Sequence, residues 1–260
     1  MWLLGLLLVA CQPSTDSESS VETAASPLPV ADAATDNTLT VQEQDAGWEL
    51  LFDGESTEHW RGAHQSAFPT QGWRVVEGML IVQPSDGAES QNGGDIVTNN
   101  EYADFEFQVD FKLTEGANSG IKYFVTEAYG SQQSAIGLEY QLLDDARHPD
   151  AKLGNNGGNT RTLASLYDLL AAAPDKPTHP IGEWNTARIK VQDNHVTHYL
   201  NGTLVLEYDR GSRSYQQRVQ ASKYKDWENF GLADRGHLLL QDHGNQVFFK
   251  NIKVRDLSAS

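Results

Sequence analysis

Between Phe105 and Leu113 the chain alternates without a break. Phe105, Phe107, Val109, Phe111 and Leu113 fall on one parity, and Glu106, Gln108, Asp110 and Lys112 on the other. Successive side chains of a strand point to opposite faces. This run therefore offers one face to a core and one to water, as in an antiparallel sheet. Similar short runs recur from Trp48 onward, at 48–52, 73–76, 79–82, 188–191, 195–200, 203–208, 237–242 and 247–254. Turn signals stand between several of them: Glu77-Gly78, Asp193-Asn194 and, strongest, Asn201-Gly202. Many short strands with frequent turns predict an all-β fold, a sandwich or jelly roll of two antiparallel sheets. Helix signals are few: residues 163–173, stopped by Pro174, and residues 221–230.

Three strands carry a second pattern. In 136–144, Ile136, Leu138, Tyr140 and Leu142 share one face, while Gly137, Glu139, Gln141 and Leu143 share the other. In 118–125, Ile121, Tyr123 and Val125 are opposed by Asn118 and Lys122. In 237–243, Leu238 and Leu240 are opposed by His237, Gln241 and His243. If these strands share a sheet, their non-core faces make a polar floor of Lys, Glu, Gln and His. Three long stretches without strand pattern, 85–94, 144–162 and 211–223, are of the length that commonly serves function. The second leaves the end of the Glu139 strand and carries Asp145, Arg147, His148, Asp150, Lys152 and Arg161.

The formal charge of −17 makes a phosphate backbone an unsuitable partner, so nucleic-acid binding is not expected. Six of the 36 acids lie in residues 1–44, which hold no Lys or Arg, so the remainder is also acidic. Neutral sugars and divalent cations suit such a surface better. Residues 1–10 are apolar but too short to span a bilayer, and read as a signal peptide. They end in Leu8-Val9-Ala10-Cys11, which resembles a bacterial lipobox with Cys11 as the lipidated residue. Residues 11–44, rich in Ser, Thr, Ala and Pro, read as a flexible tether and residues 45–260 as the folded domain. The expected location is the bacterial cell envelope, with membrane contact through the lipid alone. Cys11 is the single cysteine, so the domain has no internal disulfide.

Nine short pieces occur in an order that resembles the family of 3-keto-disaccharide hydrolases, or 3-keto-glucoside lyase/hydratases. They are Leu51-Phe52-Asp53-Gly54; Trp60; Trp73 with Glu77-Gly78; Asn118-Ser119-Gly120-Ile121; and residues 139–144. Gly182-Glu183-Trp184-Asn185, Asn201-Gly202, residues 240–244 and Asn251-Ile252 complete them, spanning about residues 46–256. The resemblance implies a concanavalin-A-like jelly roll with a carbohydrate site on its concave face. It implies substrates whose glucose C3 hydroxyl has been oxidised to a ketone and, for some members, a divalent metal of unspecified identity. Many members have an Arg at the position of Phe124, which alternation would put on the same face as Lys122. The cation is then kept but moved inward by one pleat, and a Lys does not reproduce bidentate Arg geometry. The stretches 148–152, 161–162 and 165–168 resemble a subset that also carries the Lys.

A 3-keto group acidifies the C2 proton. Its removal lets the enolate expel the C1 leaving group, and water added back gives net hydrolysis. This chemistry asks for a base near C2, charge stabilisation at the C3 oxygen and an acid for the leaving oxygen. Glu139 is the leading base or metal ligand, Lys122 the group for the enolate oxygen, and His148, on its loop, a second base candidate. His243 is a candidate metal ligand with Glu139, or orients hydroxyls. Gln141, Asn118, Gln241, Arg161 and Tyr167 are candidate sugar-binding residues. Asp144 is either a further one or an organiser of its loop. A conventional retaining glycosidase needs two carboxyls about 5–5.5 Å apart, yet Glu139 is followed on its face by Gln141 and Leu143. A non-catalytic lectin-like module remains the other alternative, since this fold serves both.

Overall fold

The computed structural model describes Met1 and residues 35–85, 90–128 and 135–258. The signal segment after Met1, Cys11 and most of the tether lie outside the described residues. Among the described residues no helix is long and apolar enough to cross a membrane. In chain order the strands are β1 (Trp48–Leu50), β2 (Trp60–Gly62), β3 (Trp73–Val76), β4 (Met79–Val82), β5 (Ile96–Thr98) and β6 (Phe105–Leu113). They continue as β7 (Asn118–Thr126), β8 (Ile136–Leu143), β9 (Trp184–Gln192), β10 (His195–Leu200), β11 (Thr203–Asp209), β12 (His237–Leu240) and β13 (Val247–Asp256).

They form the expected jelly-roll sandwich of two antiparallel sheets. One has eight strands in the order β11-β10-β9-β6-β13-β4-β3, with β1 also on β13; the other has five, β2-β5-β12-β7-β8. The alternation of β6 does what it predicts: Phe105, Phe107, Val109, Phe111 and Leu113 are buried in the inter-sheet core. Leu138, Tyr140 and Leu142 of β8 and Leu238 and Leu240 of β12 meet them from the smaller sheet. The turn signals hold as well, with left-handed backbone at Glu77 and Gly78, at Asp193, and at Asn201 and Gly202.

β7 departs from simple alternation. Its pairing with β8 shifts between Tyr123 and Thr126, and Phe124 has φ 50°, so an extra residue bulges from the ladder. Phe124 was expected beside Lys122. It turns instead into the inter-sheet core, 2% exposed, with the Arg210 guanidinium 3.6 Å from its ring centroid. Val125 was expected in that core and joins a separate cluster with Ala63, Val97, Ala135 and Leu239. A glycine in β8 and one just before β12 make room. A Cβ on Gly137 would meet the Tyr123 carbonyl at 2.6 Å, and one on Gly236 the Phe124 backbone at 2.5 Å.

Neither expected helix forms. Residues 163–173 spend their backbone groups on the open edge of β8. Ala164 N–H donates to Gln141 O at 2.8 Å, Gln141 N–H to Ser165 O at 3.1 Å and Tyr167 N–H to Glu139 O at 2.9 Å. Left-handed Ala164 and Asp168 bend the segment to that edge, closing a site for stray pairing. In place of 221–230, the helix is α2, Arg213–Gln220, started by the Ser212 side chain accepting from Tyr215 N–H. Residues 221–230 are turns. A short helix α1 (Val41–Asp45), with a Thr40/Glu43 capping box, was also not expected.

The folded part starts earlier than residue 45. Asp36 pairs with Lys250 at 2.7 Å, and Glu43 pairs with Lys253. Asn37, 7% exposed, exchanges bonds with Asn251 (2.6 and 2.8 Å) and donates to Gly78 O at 2.9 Å. The tether was expected to run to residue 44; residues 36–43 instead form a strap with side chains fixed to β13. Asn37→Ala removes the two bonds its side chain makes, from Asn251 N–H and to Gly78 O, and should lower the unfolding free energy by roughly 1–3 kcal/mol. Urea denaturation of wild type and variant measures the difference, and equal midpoints would mean that the strap is not held in solution.

Candidate functional site

The non-core face of β7, β8 and β12 carries a cavity of about 370 Å³. Its floor is the polar set that alternation picks out. Asn118 and Lys122 come from β7, Glu139 from β8, and Gln241 and His243 from the turn after β12. Lys122 stands directly opposite Glu139 in the ladder, and Gly120 opposite Gln141. Opposed residues of an antiparallel pair carry Cβ atoms about 4.5–5.5 Å apart, so the two side chains leave the sheet from adjacent points. Both are buried, Lys122 at 4% and Glu139 at 7% exposure.

The carboxylate has a defined seat. A Cβ at Gly120 would lie 2.5 Å from Glu139 Oε1, so glycine lets the side chain lie across the neighbouring strand. Gln141 is fully buried, with one end of its amide 2.9 Å from Glu139 Oε1 and 3.1 Å from Ser119 O, two acceptors that assign the N–H to that end, and the other end 3.1 Å from Asn118 Oδ1. Gln141 thus acts from behind Glu139. Lys122 Nζ donates to Asp95 Oδ2 at 3.4 Å and to Ala135 O at 3.3 Å. His243 Nδ1 is buried, with no hydrogen-bond partner among the described residues.

The walls come from loops. Ser90 stands on one side; Tyr167, Lys223, Tyr224 and Trp227 stand on another. Tyr167 donates its hydroxyl to Asp150 Oδ2 at 2.8 Å. Burial first, then the Glu139 charge, push its phenol far above the usual range, so it remains a neutral donor. Lys223 Nζ lies 4.3 Å from the Tyr167 ring centroid, a cation–π contact between the two loops. Their common anchor is Asp168, fully buried. It accepts from Arg161 Nε at 2.8 Å, Asn155 Nδ2 at 2.9 Å and Lys223 N–H at 2.9 Å.

The remaining predicted residues lie outside the cavity lining. Arg161 bridges Asp150 and Asp168 at 2.8 Å each and sits over the Tyr167 ring. Its guanidinium fixes the wall and does not line the cavity. Asp144 accepts from Gly116 N–H at 2.9 Å and Ala146 N–H at 3.2 Å, and pairs with Arg147 at 3.3 Å, which is the loop-organising arrangement. His148 caps the short turn Pro149–Lys152. Its Nδ1 accepts from Asp150 N–H at 3.2 Å, which puts the proton of the neutral ring on Nε2. Burial lowers its imidazole below the ordinary histidine value, with Asp150 opposing and His243 assisting. Its ring centroid is 6.4 Å from that of His243. His237 stands apart, 3.6 Å from Glu101 and 3.3 Å from Arg61, beyond a register shift in β12.

Asp95, Ser90, Lys223, Tyr224 and Trp227 were not singled out in the sequence. All five lie on loops, where no periodicity marks the inward residue. The divalent metal implied by the resemblance does not find a conventional cage. Among the described residues no three His, Cys, Asp or Glu side chains converge. Glu139 also faces an ammonium, which opposes a second cation.

Comparison with known proteins agrees with the sequence resemblance. Residues 47–255 match the family of 3-keto-alpha-glucoside-1,2-lyase-like domains. A 3-keto-disaccharide hydrolase of Bacteroides thetaiotaomicron is 33% identical over 96% of this chain and 94% of its own length. Two crystal structures of candidate glycosyl hydrolases from Parabacteroides distasonis are similar. The first is 30% identical, with a TM-score of 0.74 over 86% of this chain and 100% of the other. The second is 27% identical, with a TM-score of 0.59 over 81% and 99%.

The wall anchor has a pH signature. Burial alone would raise the Asp168 carboxyl, but the Lys223 N–H, Asn155 and Arg161 outweigh it and hold it below its ordinary 3.8. The unfolded chain then binds that proton more readily than the folded one. The stabilisation is complete above 3.8 and is lost as pH falls through the lower folded-state value. Asp168→Asn should cost roughly 1.5–3 kcal/mol at neutral pH. The gap to wild type should close only as thermal unfolding is followed below that value, and a gap independent of pH would remove the electrostatic account.

Proposed function

The chain belongs to the family of 3-keto-alpha-glucoside-1,2-lyase-like domains, and on that premise we propose that its cavity cleaves 3-keto-glycosides by elimination and hydration. It is a glycoside-cleaving hydrolase whose substrate is a carbohydrate. The observation that carries the finer reading is the Lys122/Glu139 pair, opposed across the ladder on the floor of a cavity of substrate size. Glu139 is the base. It takes the C2 proton, and the C–H electrons form the enolate. The Lys122 ammonium faces the negative charge that develops on the C3 oxygen. Collapse of the enolate breaks the C1–oxygen bond. The leaving oxygen takes a proton from His243, which lines the same floor and must enter this step as the imidazolium and leave it as the neutral ring. Addition of water across C1 and C2 then completes net hydrolysis.

Among the described residues, Glu139 is the one carboxylate lining the cavity. That favours this route over a two-carboxylate glycosidase, which needs a partner about 5–5.5 Å away. Gln141 and Gly120 hold the base in place, and the aromatic wall of Tyr167, Tyr224 and Trp227 gives the sugar or its leaving group a face to pack on. Under this reading His148 serves as a support near His243 and not as the base, because its free nitrogen carries the proton in the neutral ring. The same reading keeps residues 1–10 as a signal segment and Cys11 as a lipid-bearing residue that anchors the enzyme in the bacterial envelope.

Incubation with a 3-keto-glucoside in D₂O tests the route. Deuterium should enter C2 of the released sugar faster than it exchanges into free 3-keto-glucose. Glu139→Gln should lower kcat by about 10²–10⁴ and Lys122→Met by about 10²–10³. Release of product with C2 hydrogen retained would rule out elimination. Separately, metabolic labelling with a radioactive fatty acid in a bacterial host should mark the wild type and not Cys11→Ser; unlabelled wild type would remove the anchor.

A further inference from the structure

A second carboxylate stands beside the floor without lining the cavity. Asp95 lies just before β5 and is fully buried. Its Oδ2 accepts from Lys122 Nζ at 3.4 Å. Its Oδ1 accepts from Asp242 N–H at 3.0 Å and from Ser90 Oγ at 3.4 Å. Asp242, also fully buried, accepts from Gly93 and Gly94 N–H at 3.1 Å each and from Gly244 N–H at 3.0 Å. The Asp95 carboxylate is thus tied to the turn that carries Gln241 and His243.

The proposed mechanism gives this arrangement a purpose. A lysine directly opposite a glutamate on a dry surface tends to collapse onto it, since the attraction is strong where water is scarce. Collapse would occupy both groups the reaction uses. Asp95 offers Lys122 a competing charged acceptor on another element, and Ala135 O offers a neutral one.

Resting on the function proposed above, we propose that Asp95 is a positioning residue: it holds the Lys122 ammonium at the point where the C3 oxygen gains charge and leaves Glu139 able to accept the C2 proton. It touches neither substrate nor reacting atoms, and acts through Lys122.

The test is a mutant cycle on a 3-keto-glucoside. Asp95→Asn keeps the shape and an acceptor for Asp242 N–H while removing the charge. It should lower kcat by about a hundredfold, the scale of an ångström-sized misplacement, with KM changed less than threefold. In the Lys122→Met background the same change should cost less than threefold, because its partner is gone. Thermal unfolding of each variant checks the fold. Should Asp95→Asn not fold, Asp95→Glu is read instead. It keeps the charge but displaces it by one methylene, and should lower kcat about tenfold at unchanged KM. Equal losses in both backgrounds, or wild-type kcat in the folded variant read, would overturn the role of Asp95 alone. Absence of turnover by the wild type would overturn the reading of the site, and the role of Asp95 with it.

Discussion

The site depends on keeping a lysine and a glutamate together where water is scarce. Either charge alone would be costly to bury; the ammonium is compensated by the Asp95 carboxylate, and the Glu139 carboxylate is held in a bonded surround. The rest of the floor serves that condition. Gly120 removes the side chain that would displace the carboxylate, Gln141 bonds it from behind, and Asp95 draws the ammonium to one side. None of these acts alone, because the geometry of each is set by the pairing of β7 with β8 and β12.

The walls follow another logic. They are loops held by buried ion pairs, with Asp168 joining the 150s, the 160s and Lys223 at one point. A sheet supplies flat, regular placement and a loop supplies height, so a cavity on a sheet face needs both. The segment 163–173 does two jobs, covering the open edge of β8 with its backbone and raising Tyr167 beside Glu139.

Strand parity was legible in the sequence, and with it the two-sheet fold and most of the floor. Lys122, Glu139, Gln141, Gln241 and His243 follow from counting by twos, because a strand leaves no other choice once its apolar face is buried. Counting failed where the count itself changes, at the bulge after Tyr123. It also failed on loops. The length of 144–162 and 211–223 marked them as functional, yet nothing in their composition separates Lys223, which reaches the cavity, from Arg161 and His148, which do not line it, and Trp227 lies beyond both stretches. The helix expected at 163–173 failed because pairing with a strand edge outweighed local propensity, which is weak over a dozen residues.

The bulge at Phe124 bears on how enzymes of this kind can diverge. The resemblance implies an arginine at that position in many members, which by alternation alone is the cation of Lys122 moved by two residues. Here position 124 points between the sheets, against Arg210. An arginine introduced there would be swallowed by the interior next to another arginine, leaving unfilled the space Phe124 now occupies. Passing from one arrangement to the other therefore requires deleting a residue to reset the pleat, together with refilling the core.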